Sequence, residues 1–107
     1  MTTIEYNKQK DYKKISYKLT ASGHAGYAPE GYDIVCGAIS ILLFTLANAL
    51  DDFGADNLKV DLEPGDTTIS CTASYGDIEI DSFFKFAMEG LELLEEQYPD
   101  YVEILEE

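Results

Sequence analysis

From Ile15 to Ala21 the chain reads Ile-Ser-Tyr-Lys-Leu-Thr-Ala, apolar at every second position. A period of two marks a strand with one buried face. Residues 2–8 supply a partner strand. The N-terminal segment therefore predicts a hairpin, joined by the polar run NKQKDYKK, which holds four of the seven basic residues. The pattern then changes. Cys36, Ile39, Leu43, Leu46 and Leu50 recur at intervals of three and four, one face of an α-helix. Asp33 is its natural N-cap, because a carboxylate accepts from the free amides of the first turn; DDFG ends it. Ile41, Leu42 and Phe44 fall on other faces. A helix apolar most of the way round is covered on more than one side, here by a sheet and by a second helix or another subunit. Alternation returns at Leu58, Val60 and Leu62 and again at Ile69, Cys71 and Ala73, with a Pro-Gly-Asp turn at 64–66 between them. A second helix runs from about Ile78 to Tyr98 on a stripe of Ile80, Phe84, Ala87, Leu91, Leu94 and Tyr98. Its Glu89, Glu92, Glu95 and Glu96 are expected in solvent, and Phe83, Phe84, Phe86 and Met88 in core or interface. Tyr101 to Leu105 makes a short last strand. The order is ββαββαβ. A mixed sheet of about five strands with both helices on one face buries all these stripes, an α/β two-layer sandwich. The strand order is not readable from the pattern.

The 107 residues suit one domain, taken as 1–107. Two cysteines, Cys36 and Cys71, make no disulfide framework and fit a reduced, cytoplasmic setting. The N-terminus carries no apolar signal segment. The uncharged run Ile34–Leu50 falls short of the roughly 20 apolar residues that a membrane span needs, so no membrane partner is expected. With 21 acidic and 7 basic residues the net charge is −14. Such a surface repels nucleic-acid phosphates and attracts basic proteins. No phosphate-binding glycine motif, CxxC or HxxxH spacing is present, so no cofactor and no metal are expected.

The candidate chemistry lies in SGHAGYAPEGYDIVCGAIS, Ser22 to Ser40, which holds the single histidine, His24, and Cys36. Cys36 is the third helical residue if Asp33 caps. Free amides and the positive end of the helix dipole favour a thiolate there and offer donors to an oxyanion. The Asp33 carboxylate opposes that charge. The loop from His24 to Cys36 is long enough to fold back, so the two can pair as base and nucleophile. Gly23, Gly26 and Gly31 permit unusual backbone angles, and few of the loop's side chains can join a core. Such a loop can admit an extended peptide and close on it. Cys71, between Ile69 and Ala73, reads as core. Two other readings fit: a non-enzymatic acidic module that binds a basic protein, and a redox-sensing thiol.

GHAGYAPEGYDIVCGAIS resembles the signature of the ribosomal-processing cysteine proteases called Prp: Gly23-His24-Ala25, a loop with Gly31, then Asp33-Ile34-Val35-Cys36, Ala38 and Ser40. Gly37 departs from the pattern, where Ala is more usual; a glycine there costs the helix about 1 kcal/mol. The resemblance implies a homodimeric endopeptidase. Its substrate would be a basic large-subunit ribosomal protein, number twenty-seven, from which it removes a short N-terminal extension. It implies Cys36 as nucleophile and His24 as general base. Gly23, Asp33 and Ser40 would support them. The segment 25–32, with Ala25, Gly26, Tyr27, Gly31 and Tyr32, would gate the substrate.

Overall fold

The computed structural model describes residues 1–106, with side chains to Leu105. The elements are β1 (Thr2–Lys10), β2 (Lys14–Ser22), α1 (Ile34–Phe53), β3 (Asp56–Glu63), β4 (Asp66–Ser74), α2 (Ile78–Gln97) and β5 (Val102–Glu106). The five strands form one sheet in the order β3-β4-β2-β1-β5, and β5 runs parallel to β1 while the other pairings are antiparallel. The expected mixed sheet and ββαββαβ order are both present.

The alternation has the anticipated consequence. Ile4, Ile15, Tyr17, Leu19, Ala21, Ile69, Cys71, Ala73 and Val102 all turn to one side and are buried with the stripes of both helices. The intervening Ser16, Lys18, Thr20, Ser70 and Thr72 face away. On α1 the buried stripe is Val35, Ile39, Leu43, Leu46, Ala47 and Leu50. Val35 heads it, so Cys36 is left half-buried at the margin of the core. By length and composition α1 would pass for a membrane span, but the sheet occupies this stripe. Its other side is only partly covered. Leu42 meets α2 at Gly90, where an added Cβ would lie 2.7 Å from a Leu42 methyl. Ile41 and Phe44 are exposed, as are Val60 and Leu62 on the edge strand β3.

Three details differ from the pattern-based reading. The polar run after residue 6 is mostly strand: β1 continues to Lys10, and Asp11 closes the turn by accepting from the amides of Lys13 and Lys14 at 2.9 and 3.0 Å. β3 begins two residues early, at Asp56, with a register shift and Asn57 in the left-handed region (φ 55°), the geometry of a bulge. Glu95 is half-buried; its carboxylate accepts from the Ile104 amide of edge strand β5 at 2.7 Å.

A polar anchor ties α2 to the sheet. The hydroxyl of buried Tyr17 donates to Asp81 Oδ1 at 3.0 Å, Lys8 Nζ approaches the same oxygen at 2.6 Å, and Lys85 Nζ reaches Oδ2 at 3.0 Å. The Lys8 bond, with help from Lys85 and Tyr17, outweighs burial and holds the Asp81 carboxyl down at about 2. Burial, and then the Asp81 charge, push the Tyr17 phenol well above its ordinary range. Beside this anchor the Tyr17 ring stacks on Phe84 at 4.8 Å.

Candidate active site

Sheet register decides what surrounds His24. At the end of β2, Ser22 pairs with Asp66 of β4 on one side and with Thr3 of β1 on the other. The next residues therefore emerge between the start of the chain and the β3–β4 turn. Gly23 is gripped by both. Its amide donates to the Gly65 carbonyl at 2.9 Å, and its own carbonyl accepts from Thr2 Oγ1 at 3.1 Å. A Cβ on Gly23 would come within 2.6 Å of the Met1 carbonyl oxygen, so only glycine fits this crossing. The His24 carbonyl accepts from the Met1 ammonium at 2.8 Å. The imidazole lies over the Gly65 backbone: an ideal Cβ there would be 2.8 Å from Nε2 and 3.0 Å from Cε1.

Asp33 governs the other half. Its Oδ1 accepts from the amides of Val35 and Cys36 at 3.0 and 2.9 Å, the cap that the sequence suggested. Its Oδ2 turns back to the loop and accepts from Tyr27 and Ala28 at 3.0 and 3.5 Å. Burial pushes this carboxyl up, but the amides of Cys36, Tyr27 and Ala28, joined by the Cys36 thiol, bring its pKa below the ordinary value. One expectation is narrowed here, to the amide of Ile34, the first residue of α1. The amides at the start of α1 were expected to be free for an oxyanion. Those of Val35 and Cys36 are spent on Asp33 Oδ1, and that of Gly37 on the Asp33 carbonyl at 3.0 Å. A carboxylate cap satisfies the very donors that the dipole would otherwise present.

His24 and Cys36 line one cleft of about 590 Å³ between the loop, the start of α1 and the β3–β4 turn. The amide of Ala25, the residue after His24, donates to Cys36 Sγ at 3.4 Å. The loop thus folds back onto the sulfur. Of the expected supporting residues, Gly23, Asp33 and Ser40 line the cleft. Of the expected gating residues, Gly26 and Gly31 line it, whereas Ala25 packs into the core and Tyr32 is 79% exposed. Tyr27 is an anchor: its ring meets Tyr98 and Tyr101 edge-on at 5.5 and 5.2 Å, against the chain between α2 and β5. The pattern-based reading missed Thr2, Pro64, Gly65, Asp66 and Thr67 as cleft residues. The Pro-Gly-Asp turn was visible, but its place beside His24 follows from the β2–β4 register alone. Among the described residues no cluster of three or more His, Cys, Asp or Glu side chains could hold a metal ion. Cys71 is buried, and burial, aided by the Asp56 charge, pushes its thiol up to about 11.

A half-buried sulfur at a helix start, lining a cleft and approached by a loop from the only histidine, is an arrangement suited to nucleophilic acyl transfer. Comparison with known proteins agrees. The family model described as cysteine protease Prp matches residues 1–103. The ribosomal processing cysteine protease Prp of Mycoplasma pneumoniae is 30% identical over 86 residues, 80% of this chain and 83% of that protein. In structure the chain resembles the ribosomal processing protease Prp of S. aureus bound to a covalently linked product peptide. That match has a TM-score of 0.84 at 21% identity, with both chains fully covered. A Streptococcus mutans protein matches with a TM-score of 0.69 at 27% identity over all of this chain and 96% of that one. The fold, the loop that returns to the cysteine and the match over nearly the whole length agree: this chain belongs to the Prp family of cysteine proteases.

Proposed function

We propose that this protein is the endopeptidase that removes a short N-terminal extension from a basic large-subunit ribosomal protein, number twenty-seven, with Cys36 as nucleophile and His24 as general base. The observation that carries the reading is the contact between the Ala25 amide and Cys36 Sγ, which brings the residue beside His24 to the sulfur inside a shared cleft. The cleft is open enough for an extended peptide, and Glu30 and Asp66 on its walls suit a cationic one. The net charge of −14 steers a basic protein toward it. The relative in M. pneumoniae is named for ribosomal processing, and S. aureus Prp has been crystallised with substrate and product peptides. We further propose a cytoplasmic homodimer, supported by the exposed Ile41, Phe44, Val60 and Leu62 where α1 meets β3.

In the reaction, the Cys36 thiol proton passes to His24 as sulfur bonds to the scissile carbonyl carbon. The carbonyl then re-forms, the C–N bond breaks, and His24 returns the proton to the leaving amine. Water activated by His24 next releases the acyl group from sulfur. The test is cleavage of the extended ribosomal protein by the native chain, Cys36→Ala and His24→Ala, followed by mass spectrometry. Activity should be lost in both variants, while iodoacetamide labels Cys36 and spares Cys71. Retained turnover in either variant, or equal labelling of both cysteines, contradicts the assignment. Light scattering of the same native sample reads the dimer.

A further inference from the structure

Acyl transfer at a thiol needs a hydrogen-bond donor where the carbonyl oxygen acquires charge, and the amides of Val35, Cys36 and Gly37 at the start of α1 are already engaged. Asp33 consumes all three, the nucleophile's own included. The amide aimed at the sulfur comes from the loop instead. Ala25 N–H donates to Cys36 Sγ at 3.4 Å. It is rigidly held: the Ala25 side chain is 2% exposed within the core, and the preceding His24 carbonyl is tied to the Met1 ammonium. A donor fixed before reaction pays no reorganisation when charge appears.

We propose that the backbone amide of Ala25 is a catalytic group that donates to the oxyanion formed when Cys36 attacks a peptide carbonyl. This rests on the peptidase reading above. When sulfur bonds to the carbonyl carbon, the C=O π pair moves to oxygen. That oxygen stands one carbon away from the atom the amide already touches. As the S–C bond forms, negative charge passes from Sγ to that oxygen, which comes within reach of the same fixed N–H. When the C–N bond breaks, the pair returns to C=O and sulfur is left as a thioester; the amide regains the sulfur as acceptor once water has released the acyl group. A single loop residue thus serves both ends of the acylation step. The small, buried side chain is what allows the backbone to come so close.

The test replaces the Ala25 N–H by an ester oxygen, which removes the donor and changes little else. Residues 1–35 are synthesised with L-lactate at position 25 and ligated to residues 36–107 at the native Cys36. Two reactions are compared with those of an all-amide chain assembled in the same way. Peptide cleavage passes through an oxyanion; iodoacetamide alkylation of Cys36 does not. The expected result is a fall in kcat of about 10²–10³-fold for cleavage, with an alkylation rate changed by less than about tenfold. An equal fall in both rates would make the amide a thiolate donor only and overturn the proposal, as would unchanged cleavage. Crystals of the native chain with a peptide aldehyde give a reading free of any variant. The hemithioacetal oxygen should lie within about 3.1 Å of the Ala25 nitrogen, and an oxygen turned away from it counts against the proposal. If the native chain is alkylated at Cys36 yet cleaves neither peptides nor p-nitrophenyl esters, the peptidase reading fails and takes this inference with it. Turnover by the native chain with an ester variant of equal rate refutes the inference alone.

Discussion

Asp33 does two jobs with one carboxylate, and the two can be separated by side-chain length. Oδ1 caps α1 through the amides of Val35 and Cys36; Oδ2 closes the loop through Tyr27 and Ala28. Serine at this position still caps a helix, because its oxygen reaches the first-turn amides. It offers nothing to Tyr27 and Ala28. Alanine loses both functions. A cap is worth about 1–2 kcal/mol. The Tyr27 bond at 3.0 Å goes to a charged acceptor on a partly exposed site, and we take about 1–1.5 kcal/mol for it, the low end for such bonds. The Ala28 contact at 3.5 Å adds little. Asp33→Ser should therefore cost about 1 kcal/mol and Asp33→Ala about 2–3 kcal/mol, read from urea unfolding at neutral pH. Hydrogen exchange resolves the halves: the amides of Tyr27 and Ala28 lose protection in both variants, those of Val35 and Cys36 only in Asp33→Ala. The contribution also has a pH signature. The folded carboxyl lies below its ordinary value. Its stabilisation is complete above the unfolded value of about 4 and fades as pH falls through the folded one. Two results would refute the reasoning. If Asp33→Ser costs as much as Asp33→Ala, the cap contributes nothing. If it costs nothing and leaves Tyr27 exchange unchanged, the loop closure contributes nothing.

Two further outcomes follow from other contacts. Asp81 is held at about 2 by Lys8, Lys85 and Tyr17, so its stabilisation, about 1–2 kcal/mol after allowing for the exposed Lys85, is full above about pH 4 and lost as pH falls toward 2; Asp81→Asn should flatten acid unfolding across that window, and an unaltered acid profile would contradict the anchor. Gly65→Ala pushes a methyl into the His24 ring, 2.8 Å from Nε2. It should lower kcat at least about tenfold and also cost about 1–2 kcal/mol for its positive φ. Gly65→D-Ala, which accepts that φ and turns its methyl to the opposite side of Cα, should keep both rate and stability; equal rate losses in the two variants would mean that the turn, not the ring contact, matters.

What the sequence disclosed and what it withheld divide along a physical line. The strands from Ile15 to Ala21 and from Ile69 to Ala73, both helical stripes and the Asp33 cap all depend on neighbours within a few positions, and local periodicity carries that information. So does the contiguous motif from Gly23 to Ser40. The identity of the group that receives each helix-start amide is less local. Asp33 was legible as a cap, yet a capping carboxylate and free oxyanion donors are incompatible claims on the same N–H groups, and only the geometry of Val35, Cys36 and Gly37 decides between them. The rest of the site was beyond reach because it rests on pairing between distant segments. Thr2 and Gly65 flank His24 because β2 lies between β1 and β4 in the sheet. A register slip of one residue in β2–β4 would turn each β2 side chain to the opposite face of the sheet. That same register sets Gly65 under the imidazole. Burial of Tyr17 and Leu19 resists such a slip. The core stripe that the sequence announces therefore also fixes the placement of the base, although no residue near His24 in sequence records it.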